Sequence, residues 1–350
     1  MTNTERCRRW RAANPEAARA ANKRAVQKYR ASEKGQMSRR QGDIRSVVSG
    51  RTARRQAAYI ERKKYELANL RQADNVRVSV PETRTLAILS DTQMPFEDPA
   101  ALDQALEVVA RIKADTVVLN GDIVDCYAES VFLKDWKLAA VATPEGHRRA
   151  RRLMECLEHI PNKIWLGGNH EERWKKELWR EIAKGEKAGA IASNLVAAMN
   201  AKGAKDGIDL NDPVGSFARI YDMAAHGFVY YPWHHRLYFA ENNLVVTHGE
   251  FVRKDSGATA RATFEWLGRS VIVGHTHRLG SYLVSKDGRE HGGWEGGCLC
   301  GLEPEYCTTP NWQQGLTIVK INGPEFHVVP VPIIRRAGAP VAVYSGLEAE

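Results

Sequence analysis

The sequence predicts an α/β fold with a basic helical extension at its amino end, and three observations predict it. Short runs rich in Val, Ile and Leu recur between residues 85 and 273, each the size of a buried strand. The first two runs are separated by a segment with apolar residues at helical spacing, so strand, helix and strand form a right-handed crossover unit. Positive charge is concentrated at one end. Residues 1–75 hold 20 Lys/Arg against 7 Asp/Glu, while the rest of the chain carries −4 of the total of +9.

At 350 residues the chain is long enough for two domains, or for one large domain with an appendage. The change in texture divides it into an arm over 1–75, a body over 76–335 and a short tail over 336–350. Mean hydropathy is −0.44, ordinary for a chain that buries a core. No run approaches the roughly 18 apolar residues of a spanning helix, so no membrane partner is expected. Met1 to Arg11 has arginines but no apolar h-region. Six cysteines in a chain this long do not make a disulfide framework, which leads us to expect a reducing cytoplasm.

The arm contains RCRRWRAANPEAARAANKRAVQKYR and TARRQAAYIERKKYELANLRQ, both rich in strong helix formers. Pro15 suits a helix start. Large apolar residues are too few for an independent core. Cations on helices neutralise phosphates and release counterions, so Arg8, Arg9, Arg11, Lys23, Arg24, Lys28, Arg54 and Arg55 are the candidate nucleic-acid contacts, with DNA the expected partner. Trp10, Tyr29 and Tyr59 offer packing or stacking. A solvated tail and a protein-binding segment are the competing readings.

In the body, each apolar run ends in residues able to bind ligands. TLAILS leads to Asp91-Thr92-Gln93, and TVVLN to Gly121-Asp122-Ile123-Val124-Asp125. KIWLG leads to Gly168-Asn169-His170-Glu171, LVVT to His248-Gly249, and SVIV to Gly274-His275-Thr276-His277. Between the first two runs, PAALDQALEVVARIKAD has helical periodicity. The carboxyl ends of such strands form a ligand-binding rim. Carboxylate, amide oxygen and imidazole together suit Mn²⁺, Fe or Zn²⁺. A carboxylate shared by two cations about 3.5–4 Å apart serves displacement at phosphorus, and metal-activated hydroxide is the usual nucleophile. Any one of these turns is common. All five, in order and each at a strand end, point to a metal-phosphoesterase site.

This series resembles the calcineurin-like metallophosphoesterase superfamily over roughly residues 84–330. SDTQMPFEDP, HGEF and GCLC with a later NWQQG resemble its phage and prophage branch. The resemblance implies two mixed β-sheets between outer helices. It also implies two divalent ions, with Mn²⁺ expected and Fe, Zn²⁺ or Mg²⁺ as alternatives. Asp91, Asp122 and His277 would hold one ion with Gln93 beside them. Asp122, Asn169, His248 and His275 would hold the other. His170 would stand near the leaving group as acid or orienting donor, its imidazole held by Asp125.

Two departures qualify the match. Gln93 stands where the family usually has histidine, and an amide oxygen is a weaker and harder ligand. Asp125 is followed by Cys-Tyr rather than Arg-Gly, and the phosphate-clamping arginines of protein Ser/Thr phosphatases are missing from the motifs. The leading expectation is therefore a phosphodiesterase or nuclease acting on DNA. A phosphoesterase for nucleotides or cyclic nucleotides is the second reading, and a nucleic-acid-binding protein with a decayed metal site is the third. Residues 172–240 read as a lid or specificity insertion. Within it, Lys175, Lys176 and Arg180 read as a solvated helix face. Cys298, Cys300 and Cys307 lack a paired C-x-x-C and read as core thiols, the first two facing the same side of a strand.

Overall fold

The computed structural model describes residues 78–79, 83–130, 135–176, 213–286, 288–304, 309–336 and 338–344. All eight candidate nucleic-acid contacts of the arm, together with Arg180 and Cys307, lie outside the described residues.

Two mixed sheets face each other. The first contains β2 (Thr85–Leu89), β3 (Thr116–Asn120), β4 (Asn162–Leu166) and β5 (Phe228–Tyr231) as parallel neighbours. It continues antiparallel from β2 through β11 (Gly315–Asn322), β12 (Glu325–Arg336) and β13 (Ala339–Ala342). The second has the order β1 (Val78–Ser79), β6 (Leu237–Phe239), β7 (Leu244–Thr247), β8 (Ser270–Val273), β10 (Arg289–Gly296), β9 (Leu279–Lys286). All five predicted strand runs are strands. They divide between the sheets, however: β2, β3 and β4 lie in one, β7 and β8 in the other. The ligand rim is therefore the line where the carboxyl ends of two sheets meet.

Side-chain alternation explains the layers. Leu86 and Ile88 of β2, Val118 of β3 and Leu166 of β4 pack with Leu244 and Val246 of β7 and Ile272 of β8 between the sheets. The intervening residues Ala87, Leu89, Val117, Leu119 and Trp165 face outward. They are covered by α1 (Pro99–Arg111), α2 (Trp136–Cys156) and α3 (Pro213–Ile220). On the opposite face, Val245, Val271 and Val273 pack on Ala260 of α4 (Ala258–Leu267). Strands buried on both faces must be apolar throughout, which is why they are so legible as continuous runs. α1 begins where the sequence predicts, with Pro99 in its first turn and the Asp98 carboxylate accepting from the Ala100 and Ala101 amides. Among the described residues no helix is long and apolar enough to cross a membrane.

Candidate metal centre

Several site residues sit in left-handed backbone just past their strands: Asp91 (φ 55°), Gln93 (50°), Asp122 (52°), His275 (70°) and His277 (58°). Such conformations cost on the order of 1 kcal/mol or more for residues with a Cβ, and they gather where function demands them. They turn the chain sharply, so that the side chains fold back over the rim. Two motif glycines allow the approach. A Cβ on Gly121, itself at φ 81°, would lie 2.3 Å from His248 Nδ1, and one on Gly168 would lie 2.2 Å from Asp122 Oδ1. Neither position has room for a side chain.

The result is two donor sets that share one carboxylate. Asp91, Asp122 and His277 bring ligand atoms within 4.8 Å of one another, and so do Asp122, His248 and His275. All are buried except His275, which is partly so. Asp91 and Asp122 are almost completely inaccessible to solvent. Buried carboxylates need a compensating cation.

The hydrogen bonds show which atoms would meet it. His248 Nδ1 lies 2.8 Å from the Asn120 carbonyl, which can only accept, so the ring carries its proton there. Nε2 then faces Asp122 Oδ2 and Asn169 Oδ1, each at 3.3 Å. On a neutral ring three lone pairs converge at that point; on a protonated ring Nε2 donates to the oxygens. His277 Nε2 likewise faces Asp91 Oδ1 at 3.2 Å, while the Asp91 carboxylate accepts from the His275 amide at 3.0 Å. Gln93 Nε2 lies 3.1 Å from His277 Nε2, and an amide flip brings its oxygen to the same point. Gln93 is thus at the site, and the donor set fits divalent cations.

Electrostatics point the same way. Burial opposes charge on both rings, yet Asp122 beside His248 and Asp91 beside His277 raise each to about 10. Without a cation, the proton takes its place. Burial and the neighbouring His248 push His275 down to about 4, so it offers a neutral nitrogen. Burial works against ionisation of Asp122, but His170, His248 and His275 hold it well below the usual carboxylate range. At neutral pH the metal-free protein therefore holds protons on His248 and His277 that a metal must displace. Raising the pH favours the loaded state. Metal affinity should climb up to pH about 10, by roughly tenfold per displaced proton per pH unit. Calorimetry in buffers of different ionisation heat will count the protons, and zero release would show that both rings are neutral beforehand.

Beside the centre, His170 Nδ1 lies 3.2 Å from Asp125 Oδ2, within ion-pair distance but without a hydrogen bond. A residue not singled out from the sequence completes the group. Arg173 places Nη1 3.1 Å from Asp125 Oδ1 and Nη2 2.8 Å from His170 Nε2. A guanidinium can only donate, so His170 Nε2 is the acceptor here. In this arrangement the ring holds Arg173, and it presents no Nε2 proton to a leaving group. A guanidinium therefore does stand at the site despite the arginine-free motifs. Its three-residue spacing from His170 on a helical turn was the available signal. His234 and His235 do not join the metal ligands: His234 stacks on Trp233 and lies 3.1 Å from Glu250 Oε1.

Glu171 also had no assigned role. Its buried carboxylate accepts from the amides of Asp122, Ile123 and Gly168 at 2.9, 2.7 and 2.7 Å, and from Val124 at 3.3 Å. Burial, together with the charge on Asp122, pushes its carboxyl above the ordinary range. Cys298 and Cys300 are buried free thiols as expected, and Cys300 reaches His277.

The family model of the calcineurin-like phosphoesterases matches residues 84–279, which takes in every one of these ligands. The chain belongs to the calcineurin-like phosphoesterase family. It is accordingly a metal-dependent phosphoesterase, a hydrolase of a family that binds divalent metals. It is 27% identical over 270 residues to the gene 54 protein of Mycobacterium phage L5, covering 72% of this chain and 94% of that one. The gene 54 protein of Mycobacterium phage D29 is 26% identical over the same length and shares. Among solved structures, vacuolar protein sorting 29 from Cryptosporidium parvum matches with 14% identity and a TM-score of 0.39, over 75% of this chain and 97% of that one.

In this phosphoesterase, Gln93→His should tighten the ion held with Asp91, Asp122 and His277, most of all for Zn²⁺, which imidazole suits better than an amide does. Titrations with Mg²⁺, Mn²⁺ and Zn²⁺ will test this, and unchanged affinity would show that residue 93 does not reach the ion.

Proposed function

We propose that this phosphoesterase is a dinuclear phosphodiesterase acting on nucleic acid, with DNA as the substrate and Mn²⁺ as the working ion. The observation that carries the reading is the sharing of Asp122 between two donor sets whose other members do not overlap. Bound divalent ions would polarise the phosphoryl oxygens and activate water. Around them, Asp122 and Asp91 fix the charge, while Asn169, His248, His275 and His277 supply neutral donors. Gln93 completes the first set. Asp125 and His170 hold Arg173 beside the centre, where a remaining guanidinium N–H can donate to a phosphoryl oxygen.

The nucleic-acid substrate is supported by the basic arm over 1–75, followed by the body over 76–335. The full chain with Mn²⁺ should cleave single- or double-stranded DNA faster than RNA, and should also hydrolyse bis-p-nitrophenyl phosphate. Replacing Arg8, Arg9, Arg11, Lys23, Arg24, Lys28, Arg54 and Arg55 with glutamine should weaken DNA binding. It should also flatten the dependence of log affinity on log salt by about 0.7–0.9 for each phosphate no longer neutralised, while hydrolysis of the small diester stays the same. Equal salt dependence before and after substitution would remove the arm from the reading. A preference for nucleotides over polymers would favour a small-substrate enzyme. Inactivity with every metal would favour a binding protein with a decayed site.

A further inference from the structure

We propose that the Cys300 thiol fixes the tautomer and orientation of His277 from behind the metal centre. The inference rests on reading His277 as a metal ligand. Its Nε2 faces Asp91 Oδ1 at 3.2 Å, on the side of the donor set, and its other ring nitrogen, Nδ1, lies 3.6 Å from the Cys300 sulfur. A ring that binds a cation through Nε2 gives up the proton there and keeps the one on Nδ1. In the loaded state His277 therefore donates from Nδ1 to Cys300 Sγ. Cys298 stands behind, its own thiol 3.6 Å from the Gln313 carbonyl, which can only accept.

Metal-bound histidines usually donate their second N–H to a carboxylate, a backbone carbonyl or water, and that partner sets both ring orientation and affinity. Here a thiol takes the place. The site is closed: Cys298 and Cys300 are essentially inaccessible, and the Trp312 ring covers His277 with centroids 4.1 Å apart. Both cysteines and Trp312 lie beyond residue 279, where the family match ends. The thiol is thus supplied by a segment outside the matched region, held against it where Cys300 bridges Glu97.

The test is a stepwise Co²⁺ titration of wild type, Cys300→Ala, Cys300→Ser and His277→Ala, following the visible d–d bands. Long-range ¹⁵N–¹H NMR of the Zn²⁺-loaded wild type reports the tautomer. Cys300→Ala should weaken one of the two ions by about 10- to 100-fold and leave the other unchanged. Cys300→Ser keeps an acceptor and should stay close to wild type. His277→Ala should lose the same ion that Cys300→Ala weakens. Unchanged affinities in a folded Cys300→Ala would overturn the proposal, and so would an Nε2–H tautomer in the wild type. An intense sulfur-to-cobalt charge-transfer band lost in Cys300→Ala would also overturn it, by making the thiol a ligand. If His277→Ala retains both ions, it is the metal reading of His277 that fails. If Cys300→Ala does not fold, the wild-type tautomer decides alone.

Discussion

Replacing Asp122 with asparagine should lower turnover by several orders of magnitude while the protein stays folded. Asp122 is the one residue common to both donor sets. Its Oδ2 faces His248, and its Oδ1 accepts from the His170 amide at 2.8 Å. Asparagine keeps an oxygen for that amide, so the turn retains its hydrogen bond. What disappears is the negative charge that both cations share. Without it the two sites compete with simple cation repulsion, and metal content should fall below two ions per chain even in excess Mn²⁺. His248 also loses the main influence that raises it, so the variant should bind and release its protons closer to the ordinary imidazole range. Metal analysis and rates on bis-p-nitrophenyl phosphate make the measurement. Near-normal turnover with two bound ions would sink the shared-carboxylate reading.

The ligand set was legible because strands such as TVVLN and SVIV, buried on both faces, read as pure apolar runs, and polar residues just beyond them stand out. Their division between two sheets was not legible from periodicity, since parallel strands look alike whichever sheet they join; the family resemblance implied two sheets, but which run joins which came from the structure. Arg173 was hidden for a different reason. It lies in a cationic stretch with Lys175 and Lys176 that reads as a solvated helix face, and only the turn of the chain after His170 brings its guanidinium to Asp125. The contact between Cys300 and His277 was half visible. Alternation puts Cys298 and Cys300 on one side of the chain, but nothing in the sequence says that His277 lies opposite.

Glu171 offers the largest expected effect on stability. Its two oxygens receive four backbone amides from two loops, one carrying Asp122 and the other opening with Gly168 before Asn169. The side chain therefore ties together the turns that present ligands to the second ion. Each buried amide left without a partner costs about 1–3 kcal/mol. Four such costs will not add in full, because the loops can relax and water can enter the space. Glu171→Ala should still lose about 4 kcal/mol or more, a fall of roughly 10 °C in Tm for a domain of this size. Glu171→Gln separates shape from charge. Its amide nitrogen must face donors that the carboxylate satisfied, so it should recover only part of the loss. Because the same loops hold Asp122 and Asn169, both variants should also bind metal more weakly, and added Mn²⁺ should stabilise them less than it does the wild type. Chemical denaturation with and without a chelator measures both effects. A loss below about 1 kcal/mol in Glu171→Ala, the worth of one ordinary hydrogen bond, would mean that the loops hold their shape without this carboxylate.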